Sequence, residues 1–390
     1  MSIHRPIYLD HQATTPVDPR VLEAMLPYYR EDFGNASSST HSFGWRAEAA
    51  VEDARERIAA QLGASPEEIV FTSGATESNN LAIQGVLAAR SPAVCSVVTL
   101  NIEHPSVLEA CRAQADRGHR VVELAVDAEG CVAPDQVADA IDEQTALVSI
   151  AAANSEIGVL QPIDEIARCC RERGVLFHCD AAQAVGKIGL RVDELEIDLL
   201  SFSAHKIYGP KGVGVLYVRK RRPRIALRPL FAGGGQERGV RPGTLAVPLI
   251  VGLARALDLC IEERAQEAKR LCELRDLLRD RIEAGLPEVI LNGPATHRLP
   301  GNLNLSFAGA NGERLLLSLG DLAVSSGSAC SSSSGEPSHV LLALGREKKL
   351  ARASLRFGLG RGTTREDVEF AAERVIQAVR EQAVREQNSR

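Results

Sequence analysis

The sequence predicts an α/β protein: a large domain on a mainly parallel sheet, joined to a smaller α+β domain. Three observations lead there. Short β-rich runs alternate with helical patterns through the first two thirds of the chain. Strand, helix and strand in succession imply parallel strands covered by helices. A long, heavily charged helical pattern follows, and beyond it comes a shorter set of strands and helices.

Taken in order, residues 46–62 and 77–89 carry helical patterns, with a short β-run at 68–71 between them. Strands are predicted at 93–100, 120–126, 146–152, 175–179, 198–203 and 213–218. Residues 162–173 read as a helix. Ile163, Ile166, Ala167 and Cys170 fall at i, i+3, i+4 and i+7, and Gly174 closes it. The long helix spans 249–283, with charge dense from Glu262 onward. A domain boundary is placed near residues 258–264. This gives a large domain of residues 15–260, and a small one of residues 1–14 plus 261–390. The latter holds a strand at 302–307, a helix at 312–319, a strand at 354–358 and a final helix over 364–387. Residues 325–337 are mostly Ser and Gly, with Cys330 near the middle. So little apolar area cannot offset ordering entropy, and a mobile loop is expected.

Composition excludes several classes. Of 390 residues, 45% are hydrophobic and 25% charged, as in ordinary globular proteins. A net charge of −6 gives no global attraction to nucleic acid or to an anionic membrane. The longest apolar run, 245–261, contains Arg255 and Asp258 and is too short for a membrane span. The first sixteen residues have no apolar signal core, so a cytoplasmic protein is expected. Nine cysteines without a Cys-x-x-Cys pair argue against a disulfide framework or a structural zinc, and no metal site is expected.

Chemistry is expected beyond the carboxyl ends of the strands, where open α/β sheets bind ligands. Lys206 follows the strand at 198–203. It could hold an aldehyde cofactor as a Schiff base, with Ser203 and His205 donating to a phosphate, or be an exposed loop lysine. Asp180, ending the strand at 175–179, is either an anion for a pyridinium nitrogen or a helix cap, with Gln183 near enough to meet the same ligand. Thr72 to Glu77 could present amides to a phosphate at a helix start, or be a simple cap. His104 could stack on a cofactor or be an ordinary loop histidine. Arg356, on an apolar strand, suits a bidentate carboxylate clamp or a structural ion pair. The basic run 219–224 lacks interleaved aromatics and reads as a solvated rim rather than a nucleic-acid site.

Together these motifs resemble the cysteine desulfurases, the NifS/IscS-like branch of the fold type I pyridoxal-phosphate enzymes. The blocks that carry the likeness run nearly end to end. They are Tyr8-Leu-Asp-His-Gln-Ala-Thr-Thr-Pro, Phe33-Gly-Asn, His41-Ser-Phe-Gly-Trp and Phe71-Thr-Ser-Gly-Ala-Thr-Glu-Ser-Asn-Asn, followed by Ser203-Ala-His-Lys-Ile-Tyr-Gly-Pro-Lys-Gly, Gly233-Gly-Gly-Gln-Glu-Arg-Gly and Ser325-Ser-Gly-Ser-Ala-Cys.

The resemblance implies pyridoxal 5′-phosphate as cofactor and L-cysteine as substrate, with alanine and a persulfide on Cys330 as products. Lys206 carries the cofactor and moves protons, and His104 stacks on the ring. Asp180 pairs with the ring nitrogen, and Gln183 contacts the ring oxygen. Ala75, Thr76, Ser203 and His205 cradle the phosphate, with Thr244 reaching across from the second subunit of a homodimer. Arg356 and Asn35 hold the substrate carboxylate. Where the family has two asparagines before Glu-Ile-Gly, this chain has Asn154-Ser155, which puts Ser155 at a second ring-oxygen contact. The sulfur would pass to a protein acceptor such as an iron–sulfur scaffold or a sulfur carrier. A selenocysteine lyase or aminotransferase of the same fold is the competing enzyme reading. A non-catalytic sulfur relay or scaffold protein is the reading from another class.

Overall fold

The structure is a computed structural model, and it describes residues 6–90, 93–220, 224–327 and 336–388. Twelve strands follow in chain order: β1 (Ile7–Tyr8), β2 (Ile69–Thr72), β3 (Ser96–Leu100), β4 (Arg120–Leu124), β5 (Thr145–Ala151), β6 (Leu176–Asp180), β7 (Leu199–Ser203), β8 (Gly214–Val218), β9 (Val289–Leu291), β10 (Asn302–Phe307), β11 (Leu322–Ala323) and β12 (Ser354–Gly358). Seven of them form one sheet in the order β2-β8-β7-β6-β5-β3-β4. The run from β4 to β7 is parallel, and β8 alone is antiparallel to its neighbours β7 and β2. Helices cover the sheet, so β3, β6 and β7 are buried on both faces. β3 is correspondingly apolar along most of its length, whereas His178 and Asp180 on β6 and Ser201 and Ser203 on β7 are polar groups buried between the layers.

A second sheet, β12-β10-β9, is antiparallel, and β1 pairs in parallel with β11. The expected architecture is therefore present. The sequence reading missed β1, β9 and β11, which are two or three residues long and show no periodicity.

The helix Val247–Gly285 crosses the expected domain boundary without a break. Its first half buries Ile250, Leu253 and Leu257 in the core beneath the large sheet. Its second half buries Leu274, Leu278 and Ile282 in a separate core with Leu305, Phe357 and Val375. One continuous helix thus serves two cores. The final helix Arg365–Asn388 packs against its second half, where Arg281 pairs with Glu369 at 2.7 Å. Among the described residues, no helix is long and apolar enough to cross a membrane.

Candidate active site

The carboxyl ends of β5, β6 and β7 meet at one edge of the large sheet. Loops and helix starts from that edge enclose a cavity of about 450 Å³. Lys206 enters it from the 3-10 turn Ala204–Lys206, directly after β7. Its Nζ donates to the carbonyls of Gln12 and Ala13, both at 2.7 Å.

Asp180 is the last residue of β6 and is buried. Its Oδ2 accepts from Asn79 Nδ2 at 2.8 Å, and its Oδ1 accepts from the amide of Ala182 at 2.9 Å. Both donors are neutral, which leaves the carboxylate charge for a cationic group in the cavity. His104 caps the helix Pro105–Ala115. Its Nδ1 accepts from the Ser106 amide at 3.1 Å, so the neutral ring keeps its hydrogen on Nε2. Burial pushes this imidazole's pKa down and Lys206 adds to the effect, while Asp180 opposes it.

The helix Ala75–Ala89 begins after Gly74, whose φ of 155° lies in the region glycine favours. No side chain caps this helix, and Ala75 and Thr76 line the cavity with their first-turn amides. A Cβ on Gly214 would strike Gly74 Cα at 2.6 Å, so the close approach of β8 to the helix start needs glycine. Beside it, Ser203 Oγ donates to Val213 O at 3.3 Å, and His205 Nδ1 lies 3.1 Å from Thr14 Oγ1. Burial, with Lys206, Lys211 and Lys187 nearby, lowers the His205 pKa to about 4.

Gln183 donates Nε2 to Gln12 O at 2.9 Å and accepts from Lys187 Nζ at 2.7 Å. Arg356, 1% exposed on β12, donates Nη2 to Asp10 Oδ1 at 2.7 Å and Nη1 to Ser155 O at 3.2 Å. Asn154 is consumed by the backbone. It donates to Ile102 O at 2.9 Å and accepts from the amides of Glu156 and Ile157 at 2.8 and 3.1 Å. Both Asn154 and Ser155 line the cavity, but the Asn154 amide is engaged by these backbone groups.

Two expected residues lie elsewhere. Thr244 and Asn35 are exposed and do not line this chain's cavity; the Asn35 amide oxygen instead accepts from Ser37 N at 2.9 Å. Cys330 lies outside the described residues. Of the expected mobile loop, Ser325 and Gly327 are buried, and Ser325 is bonded through its backbone to Arg356. Asn79, Glu103 and Gln12 were missed from sequence. Glu103 is 2% exposed, and burial, with Asp180 beside it, raises its carboxyl to about 8. Only its place just before His104 could have drawn attention to it.

A flat, phosphorylated pyridine aldehyde fits these groups. The cavity offers an amine to the aldehyde, a carboxylate to the ring nitrogen and an uncapped helix start to the phosphate. The family model for class-V aminotransferases matches residues 7–370. The chain belongs to the class-V aminotransferase family. Within that family it stands with the cysteine desulfurases, and its cofactor is pyridoxal 5′-phosphate. The mitochondrial cysteine desulfurase of Drosophila melanogaster is 54% identical over 375 residues, covering 96% of this chain and 81% of that protein. A solved NifS-like protein superposes with a TM-score of 0.89 at 38% identity, covering 95% of this chain and 98% of its own. The structure of SspA in complex with cysteine superposes with a TM-score of 0.81 at 39% identity, covering 90% of this chain and 98% of its own.

Proposed function

We propose that this cavity desulfurates L-cysteine, with Lys206, Asp180 and His104 as its working groups and Cys330 as the sulfur acceptor. The activity is that of a cysteine desulfurase, releasing L-alanine and leaving a persulfide on the enzyme. Bound pyridoxal 5′-phosphate supplies an electron sink at the carbon next to the substrate carboxylate. Asp180 holds a proton on the ring nitrogen, which keeps that sink strong. Lys206 moves the proton from the α-carbon, and His104, neutral with Nε2–H, stacks on the ring. Ser203, His205, Ala75 and Thr76 hold the phosphate, while Gln183 and Ser155 meet the ring oxygen. Arg356 orients the substrate carboxylate. The C–S bond of cysteine breaks, its sulfur joins the Cys330 thiolate, its bonding electrons pass to the carbon side, and protons delivered to the β-carbon and back to the α-carbon complete alanine.

Lys206 Nζ and the Asp180 carboxylate lining one cavity, beside an uncapped helix start, carry this reading. Cys330 is favoured because burial raises the thiols of Cys111, Cys170, Cys179 and Cys260, which keeps them neutral and poor nucleophiles. The segment holding Cys330 also lies between Ser325, bonded to Arg356, and His339, which lines the cavity.

A homodimer completes the reading. Tyr29, Phe33, Trp45 and Phe231 are more than half exposed, and the Phe33 ring lies tilted against Phe43 with centroids 5.3 Å apart. An apolar surface of this kind suits a second copy of the chain. Thr244 and Asn35, both exposed, would serve across that contact. The two cores suggest a large and a small domain hinged on the helix Val247–Gly285. A cytoplasmic protein handing sulfur to an iron–sulfur scaffold or sulfur carrier is the physiological setting proposed. The test is direct: the purified protein should be yellow, and L-cysteine should yield alanine and sulfide in equal amounts. A colourless, inactive protein under those conditions would refute the reading.

A further inference from the structure

We infer that Lys187 is a positioning residue for the cofactor: it fixes the Gln183 amide with its NH2 end turned to the cavity, so that Gln183 can donate to the ring oxygen. The geometry is a chain of four groups. Lys187 Nζ donates to Gln183 Oε1 at 2.7 Å, and Gln183 Nε2 donates to Gln12 O at 2.9 Å. The same Gln12 carbonyl accepts from Lys206 Nζ at 2.7 Å. Lys187 thus reaches the working lysine through one amide and one shared carbonyl.

An amide's two ends are told apart by their partners, and here the Gln12 carbonyl decides the orientation. In its protonated form Lys187 can only donate, so it requires Oε1. A carbonyl can only accept, so it requires Nε2. One Nε2 hydrogen is used on Gln12, and the second is left for an acceptor in the cavity that Gln183 lines. A cation on Oε1 also polarises the amide and strengthens the N–H donors at its other end.

Lys187 does not line the cofactor cavity. It lines a smaller one of about 60 Å³ behind Lys206, with His11, Tyr208, Cys260 and Arg361. No carboxylate is paired with its ammonium among the described ion pairs. Burial, then the Lys206 and Arg356 cations against the opposing Cys260, lowers its pKa to about 7. A lysine kept in so unfavourable a place stabilises little by itself, and its hydrogen bond to Gln183 gives it a role.

This inference rests on the assignment of Gln183 to the ring oxygen, and the experiment separates the two. Wild type, Lys187→Met, Gln183→Ala and the double variant are stripped of cofactor. Each is titrated with pyridoxal 5′-phosphate and with its 3-deoxy analogue, which lacks the ring hydroxyl. Lys187→Met should bind pyridoxal 5′-phosphate about tenfold more weakly, the scale of one good hydrogen bond, yet bind the analogue within about twofold of wild type. Gln183→Ala should behave alike, and the double variant should be no worse than Gln183→Ala. The cofactor-free Lys187→Met protein should melt no lower than wild type. Should methionine prevent folding, Lys187→Gln, which retains a neutral donor, is measured instead with the same expectation at reduced size. Wild-type affinity in the Lys187 variant alongside a loss in Gln183→Ala would overturn the inference. Equal losses for both ligands would do so too, because they would mean general disruption. No loss in Gln183→Ala would instead sink the assignment of Gln183 itself.

Discussion

Arg356 and Asp10, separated by 346 residues, form an ion pair of 2.7 Å in the wall of the cavity, with the guanidinium almost wholly buried. The pair ties β12 to the chain just after β1 and sets the guanidinium at a fixed angle. Its Nη1 is held by Ser155 O, and its Nε has no protein partner among the described residues. If this fork holds the substrate carboxylate, Arg356→Lys keeps the charge and loses the planar geometry. The KM for cysteine should rise at least about tenfold while cofactor absorbance is unchanged. An unchanged KM would remove Arg356 from substrate binding.

Lys206→Ala should abolish turnover and change the visible spectrum of the bound cofactor. No other lysine follows β7 into the cavity before Lys211, which lies beyond the turn at Gly209. Ordinary activity without added amine would exclude the assignment.

Cys330→Ser should still bind pyridoxal 5′-phosphate and cysteine, because the groups proposed for those steps, Lys206, Asp180 and Arg356, need no thiol. Sulfur transfer should vanish, since a hydroxyl is a poor nucleophile near neutral pH. Mass spectrometry of wild type after cysteine treatment should place the extra sulfur on the Cys330 peptide. A persulfide found mainly on Cys131 or Cys272, with a fully active Cys330→Ser, would reverse the assignment.

Ser155→Asn places a longer amide side chain at the position where the resemblance to the cysteine desulfurases expects an asparagine. An amide reaches further than a hydroxyl, so the ring oxygen should be held more firmly. The pH dependence of the bound cofactor's absorbance should shift between the two proteins. Superimposable curves would mean that Ser155 already makes the contact.

His178 predicts how the cofactor-free protein responds to acid. Its ring lies wholly buried between Ser149 Oγ at 2.8 Å and Ser201 Oγ at 2.9 Å, and burial lowers its pKa to about 4 against the opposing charge of Asp180. An unfolded histidine titrates near 6.5. Below that pH the unfolded chain takes up a proton that the folded ring refuses, so stability falls from about pH 6.5 down to about pH 4. His11 and His205 are lowered in the same way. His178→Gln should therefore make that decline shallower, measured as melting temperature against pH. An unaltered slope would show that the ring protonates without unfolding.

Much of this protein is legible in its sequence. The alternation of β-rich runs and helices fixes a parallel sheet, and strand ends place Asp180 and Lys206 at one edge, because parallel strands all finish on the same side. The helix start at Ala75 and the cap at His104 are also local matters, set by Gly74 and by the turn before Pro105. Tertiary structure alone decided the rest. Nothing in the spacing links Arg356 to Asp10, Asp180 to Asn79, or Lys187 through Gln183 to the carbonyl that Lys206 shares. These are single contacts between segments far apart in the chain, and they leave no period to read. The helix Val247–Gly285 shows the same division. Its pattern announces a helix, but which core each half enters depends on the elements that close around it. Local propensity and periodicity are written along one segment, whereas the partner of a buried charge is fixed only when the whole chain has packed.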